Sequence, residues 1–362
     1  MTNEERQKPR YMAPGHFRAL VAGAIVLALL IVGQDFLIPL AIAILLWNLL
    51  NALVEVILRP FSGKRTPPRW LAMALAIALV IGLQIVLVMI LSSQAGMIAE
   101  VGPRYVERLE ALAAHGIAFM GPDVSAAVAE ALRGVDVTGA VSAAIGSAGS
   151  FLSSMILVAL YVAFMLSEQH NIPNKLAAMF PDRSEEEDVR VLFAAISSRV
   201  RLYIWNKTLV SLLTGVASYV VLRLIGVDFA ETWAIVIFLL NFIPNIGSVL
   251  GVAFPALLAL VQFDTLTPFL IVVFGLGFIQ FFIGNVLEPA FMGSSLNLSS
   301  FVIILALTFW GMIWGLTGMV LSVPITVMAM IVCSNVPNWR WIAVVLSKDG
   351  RIVVAERPAA KT

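Results

Sequence analysis

Asn241, Pro244 and Asn245 stand in the middle of an apolar run at 233–262, and they are the residues best suited to binding chemistry. An asparagine amide offers N–H donors and a carbonyl acceptor, a set that matches hydroxyl-rich or anionic solutes. Pro244 has no backbone N–H and its ring collides with the carbonyl four residues back, so the helix breaks near it. Backbone groups freed inside an apolar medium are re-satisfied by protein, water or ligand. The asparagines therefore either hold a solute or satisfy the carbonyls that Pro244 frees. Gly247, Ser248 and Gly251 follow directly, and the two glycines permit close backbone approach to a neighbouring helix or to a solute.

Glu288, before Pro289 in a polar, glycine-rich connection, is the sharpest single charge. A carboxylate at mid-membrane costs about 2.5–3.5 kcal/mol on insertion scales, so such residues are paired, protonated or functional. Glu288 either couples to solute or proton movement, or sits at the interface and hydrogen-bonds the turn at 293–295. A second interrupted run at 301–332 adds Thr308, Thr317 and Ser322, which could face the same cavity. No enzyme constellation is visible. His16, His115 and His170 are scattered without metal-ligand spacing, no GxxxxGK[ST] sequence occurs, and the single Cys333 lies in an apolar run as a packed hydrophobe. No cofactor is expected.

The elements that must position these residues are membrane helices. The 362 residues are 60% hydrophobic and only 12% charged, with a mean hydropathy of +0.96, far from the quarter charged of soluble proteins. A net charge of +1 excludes a nucleic-acid-binding surface field. Apolar segments are predicted at 17–32, 36–58, 70–91, 151–166, 209–225, 233–262, 268–283 and 301–332. The first is read as an uncleaved span. The basic loop of Arg59, Lys64, Arg65 and Arg69 places the N-terminus in the cytoplasm with it, and the basic tail after 334 joins them. Residues 93–147 carry helical periodicity in Ile98, Val101, Tyr105 and Leu109, and more weakly in Val124, Val128, Leu132 and Val135. They read as amphipathic helices outside the cytoplasm. Asn48, Asn51 and Glu55 share one helix face, for helix-to-helix hydrogen bonding or for lining a path. Ser184 and Glu187 suggest a capping box opening a helix to Val200. Arg201, Tyr203, Trp205 and Lys207 read as an interfacial anchor for the span at 209–225.

The two interrupted runs, 233–262 and 301–332, are each about 30 residues, longer than the ~20 a spanning helix needs. Both hold central glycines and a later proline, Pro255 and Pro324. Paired interruptions of this kind point to a transporter binding site. Either both runs cross fully or both fold back as re-entrant hairpins. The flanking turns lack Lys and Arg, so charge bias does not choose.

The segments FIPNIGSVLG at 242–251, VLEPAFMG at 286–293 and GLTGMVLSVP at 315–324 resemble the autoinducer-2 exporter family of bacterial permeases. Span spacing and the long helical section after the third span match as well. Ser248 stands where the family often has proline, Asn245 where an aromatic is frequent, and Ala290-Phe291 where a basic residue is usual; these departures alter the polarity of the site. The resemblance implies export of a small polar solute such as the autoinducer-2 signal. It equally admits sodium or lithium/proton antiport. It further implies a homo-oligomer, a pentamer, with an elevator-like moving part.

The resulting expectation is an all-α polytopic membrane protein of about eight apolar segments, two of them broken or re-entrant. Its parts are a cytoplasmic tail (1–16), three spans (17–92), the amphipathic section (93–147), a transport part (148–334) with a cytoplasmic helical loop at 168–205, and a cytoplasmic tail (335–362). It sits multi-pass in the bacterial inner membrane. Asn241, Pro244, Asn245, Gly247, Ser248, Gly251, Thr308 and Thr317 bind solute, and Glu288 couples. A non-transporting scaffold, whose long helical section recruits partners, is the alternative of another class.

Overall fold

The computed structural model describes residues 14–59, 67–116, 154–180, 182–292 and 297–351. The weaker periodicity at 124–135, the turn at 293–295, most of the N-terminal tail and residues 352–362 of the C-terminal one lie outside these residues. Every regular element described is helical, apart from one isolated bridge between Leu298 and Ser347. The all-α polytopic reading holds: the eight apolar segments are helical where they are described, apart from the breaks at 241–245 and at Trp314–Gly315.

Helices α1 (Pro14–Val32) and α2 (Gln34–Leu58) meet at the single turn residue Gly33. α3 (Arg69–Gly116) runs unbroken for 48 residues, joining the predicted third span to the first amphipathic stretch. At 1.5 Å per residue it is about 72 Å long, more than twice a bilayer core, so its end projects well beyond the apolar bundle. α4 (Ser154–Glu168) bends by 69° into the short α5 (Ile172–Met179).

α6 (Arg183–Ile225) is the mast of the molecule. The loop helix and the fifth span, predicted separately, are one element. Its N-cap is Asp182, and the capping box at Ser184 does not form. The Asp182 carboxylate accepts from the Ser184 backbone N–H and from its hydroxyl, both at 2.8 Å. A carboxylate outcompetes a hydroxyl for the first free amides. The helix ends at Gly226, whose φ of 83° forms a left-handed cap. Val200, Tyr203 and Ile204 lie in a core at one end of α6, and Leu222 lies in a second core at the other. The first end carries Arg69, Lys175, Arg190 and Arg201 and is called the basic end below; the other holds Asp228 and Asp264.

The two interrupted runs both fold back. α7 (Ala230–Leu240) has 11 residues, about 16 Å, too short to cross alone. It turns directly into α8 (Ile246–Gln262). A Cβ on Gly247 would lie 1.8 Å from the Leu240 carbonyl oxygen, so the arms touch immediately behind the turn. The second reversal is hidden inside α11 (Ser300–Asn335), where Trp314 and Gly315 (φ 59°, ψ −142°) leave helical geometry. A Cβ on Gly318 would meet the Trp310 carbonyl oxygen at 1.9 Å. Residues eight apart in a straight helix are separated by about 12 Å, so the chain must double back there. The base of this hairpin is closed: the Ser299 N–H donates to the Leu346 carbonyl at 3.0 Å, and Leu298 packs with Met330, Ile331 and Ala343 of α12 (Arg340–Leu346). The two hairpins therefore enter the bundle from opposite ends, the first from the Asp228 end and the second from the basic end.

Between them, α9 (Leu266–Phe282) continues through a π-turn (Ile283–Leu287) into α10 (Glu288–Met292). Glu288 was expected in a polar connection and instead sits within a helix. Pro289 lacks the N–H that would bind Asn285, and its ring crowds that carbonyl, so the helix widens by one residue and continues.

Candidate functional site

The break that sequence placed at Pro244 is a tight apex from Asn241 to Asn245. The Phe242 and Ile243 N–H groups donate to Leu239 and Leu240 at 3.2 and 2.8 Å, and Gly247 N–H donates to Ile243 at 3.1 Å. Ile246 N–H reaches back to the Pro244 carbonyl at 2.6 Å across Asn245, which has φ 61° and ψ −53°. This three-residue turn is a strained form, and asparagine tolerates positive φ better than most residues. Backbone amides thus satisfy carbonyls around the apex, which frees the asparagine side chains. Asn241 is buried and donates to the Ser211 hydroxyl of α6 at 3.0 Å. Asn245 is exposed at the tip.

The opposing wall is the π-turn and α10. Glu288 accepts from the Lys207 ammonium at 2.6 Å, with side chains 25% and 5% exposed respectively. A lysine this deeply buried requires a partner, and Glu288 supplies it. Beside it Asn206 donates to the Phe291 carbonyl at 2.9 Å, tying the end of α10 to α6. Glu288 is therefore neither at a free interface nor unpaired.

These walls enclose a cavity of about 470 Å³. Asn241, Pro244, Asn245, Ser248 and Glu288 line it together, joined by Lys207, Tyr203, Gln280 and Asn285. Gly247 packs on Leu240, and Gly251 allows Gln280 to approach, since a Cβ there would lie 3.0 Å from its Nε2. Thr308 and Thr317 do not line this cavity. Thr308 is exposed and donates to Ile304 of its own helix at 3.0 Å, and Thr317 lies near the apex of the second hairpin. That hairpin contributes Ile303 and Val323 instead. The carboxylates Asp228 and Glu231 do not line this cavity: Tyr105 donates to Asp228, and Tyr219 donates to Glu231 at 3.4 Å. Among the described residues no group of three His, Cys, Asp or Glu side chains is arranged to hold a metal ion.

Lys207 is the cavity-lining residue that sequence reasoning missed, having been read as an interfacial anchor. The signal was present. Tyr203, Lys207, Ser211, Thr214 and Ser218 follow helical spacing, and all five are buried. A polar stripe threading an otherwise apolar helix belongs inside the bundle, facing the hairpin and Gln280. Chemically the cavity offers amides, hydroxyls and one neutralised ion pair. That is a set for grasping a polar solute at several points.

Comparison of the sequence with known proteins identifies the family. The "AI-2 transport protein TqsA" of Escherichia coli (strain K12) is 32% identical over 86% of this chain and 90% of its own length. Two proteins share the name "Putative transport protein". The one from Haemophilus influenzae is 31% identical over 83% of this chain and 89% of its own. The one from Borreliella burgdorferi is 38% identical over 52% of either chain. The profile described as AI-2E family transporter matches residues 20–338. With a profile match over nearly its whole length and a relative 32% identical over 86% of it, this chain belongs to the AI-2E transporter family.

Proposed function

We propose that the chain carries a small, hydroxyl-bearing polar solute across the bacterial inner membrane, binding it at the apex of the first hairpin. One observation supports this above the others: Asn241, Asn245, Ser248, Gln280 and Asn285 converge on one cavity beside the Lys207–Glu288 pair. Amides and hydroxyls on several elements match a solute with several hydroxyls, and an ion pair can open to offer a donor and an acceptor. AI-2, the molecule in the name of the Escherichia coli relative, is the first solute to test, in the direction of export. The basic end faces the cytoplasm in this reading, by the positive-inside rule.

Purified protein in liposomes, assayed for AI-2 flux with and without a pH gradient, tests the proposal. Saturable flux, reduced at least tenfold by Asn285→Leu or Ser248→Ala, is expected. Sodium flux with counter-moving protons would select the cation-exchange reading instead, in which the ion replaces the Lys207 ammonium at Glu288. Absence of flux for either class would return the chain to a scaffold role.

A further inference from the structure

A second polar cavity, of about 350 Å³, lies at the basic end of the bundle and shares no lining residue with the first. It sits where α2, α3, α6 and the bend between α4 and α5 meet. Arg69 and Arg201 line it with Asn48, Asn51 and His170. Donors outnumber acceptors here. Arg201 is engaged by Glu55, but Arg69 meets only the Asn51 Oδ1, at 3.5 Å, and forms no ion pair among the described residues. Glu168, the other nearby carboxylate, is taken by Lys175 at 2.5 Å. Asn48 and Asn51, 5% and 8% exposed, each donate one N–H to the carbonyl four residues back, at 2.8 and 2.9 Å. Each amide keeps a second N–H.

The position is that of a membrane interface. Trp47 lines the cavity with its indole N–H on Gln169 at 3.2 Å, and Trp70, beside Arg69, is 70% exposed. Tryptophans occupy the headgroup level, where lipid phosphates lie. Ile172 and Pro173, at the start of α5, complete the wall and bring the positive end of that helix to the cavity.

We propose that this cavity is a phosphate-binding site, with the phosphate carried by an anionic phospholipid headgroup or by a free phosphorylated solute. The Arg69 guanidinium pairs with two phosphate oxygens in a fork. The asparagine amides and His170 close over the remainder. Occupancy ties α2 and α3 to α6, the helix that carries Lys207.

The test is a tryptophan-fluorescence titration of the full chain in neutral detergent. The probes are dihexanoyl phosphatidylglycerol, inorganic phosphate, and dihexanoylglycerol, which has the tails without phosphate. Saturable binding of phosphatidylglycerol is expected, weakened at least fivefold by Arg69→Gln, with no response to dihexanoylglycerol. If inorganic phosphate saturates with the same Arg69 dependence, a free phosphate suffices; if only the lipid does, the headgroup is the ligand. Arg190→Gln removes an equal charge from the basic end outside the cavity and should leave affinity unchanged. Equal loss in the two variants, no loss in Arg69→Gln, or no binding of either phosphate probe overturns the proposal.

Discussion

Replacing Lys207 with methionine keeps most of the unbranched stem and removes the terminal ammonium with its charge and donors. The change leaves the Glu288 carboxylate without its ammonium 2.6 Å away. Removing one partner of a fully buried pair costs about 3–5 kcal/mol, because the remaining charge is stranded in a low dielectric. Glu288 keeps a quarter of its surface exposed, so water recovers part of that loss, and Lys207→Met should cost about 2–4 kcal/mol. Glu288→Gln strands the lysine instead, which is only 5% exposed, so it should cost more, about 3–5 kcal/mol. The double variant strands nothing and should lie near the wild type in stability, a strongly non-additive result. Unfolding of the purified protein in detergent, followed by tryptophan fluorescence, gives the three stabilities. Solute flux in liposomes, measured on the same preparations, should be lost in all three. Additive single effects, or a milder Glu288→Gln than Lys207→Met, would refute the burial argument. Wild-type flux in the double variant would remove the pair from the transport site.

Other consequences are equally direct. Gly318→Ala puts a Cβ 1.9 Å from a backbone oxygen that cannot rotate away, so it should destabilise the second hairpin by about 4 kcal/mol or more. Gly277→Ala in α9, with nothing within 4 Å, should be silent or gain up to about 1 kcal/mol in an unfolding titration. Arg108 pairs with Asp264 and donates to the Gln262 carbonyl at 3.3 Å, clasping the base of the first hairpin to the end of α3. Because Asp264 is 91% exposed, Arg108→Gln should cost under about 1 kcal/mol globally, yet hydrogen exchange at the end of α8 should quicken, as it also should in high salt. Unchanged exchange there would dismiss the clasp. The Asp182 carboxyl is held below its ordinary range by the Ser184 backbone N–H and then by the Ser184 hydroxyl. A depressed folded value means that its cap stabilises α6 above the ordinary carboxylate range and is lost as pH falls through the folded value. Amide protection at 183–187 should therefore drop in acid. Asp182→Asn should keep protection without that pH dependence, and Asp182→Ala should lack protection throughout.

Much of this architecture was legible because composition alone forces it. Apolar runs of spanning length become helices, and a proline flanked by asparagines and a glycine marks a candidate break, although Pro39, Pro103, Pro255 and Pro324 all lie inside helices. Three features were not legible, each for a physical reason. Hairpin and span were indistinguishable because the turn at Asp264 and the Glu288 connection carry no lysine or arginine. The choice rests on Gly247 and Gly318 touching the opposite arm, a close contact across the turn that sequence shows only as two glycines. Lys207 was misassigned because a basic residue beside Tyr203 and Trp205 has the composition of an interfacial anchor; only its register with Ser211, Thr214 and Ser218 distinguishes the two placements. Thr308 and Thr317 were nominated because the two interrupted runs look alike, and likeness in sequence suggested equal shares in one site. Packing makes the shares unequal. The first hairpin presents its apex, Asn241 to Asn245, to the cavity. The second passes beside it, offering Ile303 and Val323, while its apex goes on to α1, where the Trp314 indole donates to the Leu30 carbonyl at 3.0 Å. Two hairpins inserted from opposite ends place their apices at different depths unless their lengths compensate. The polar apex meets the ion pair on α6, and the apolar one meets a helix that offers it little beyond a backbone carbonyl.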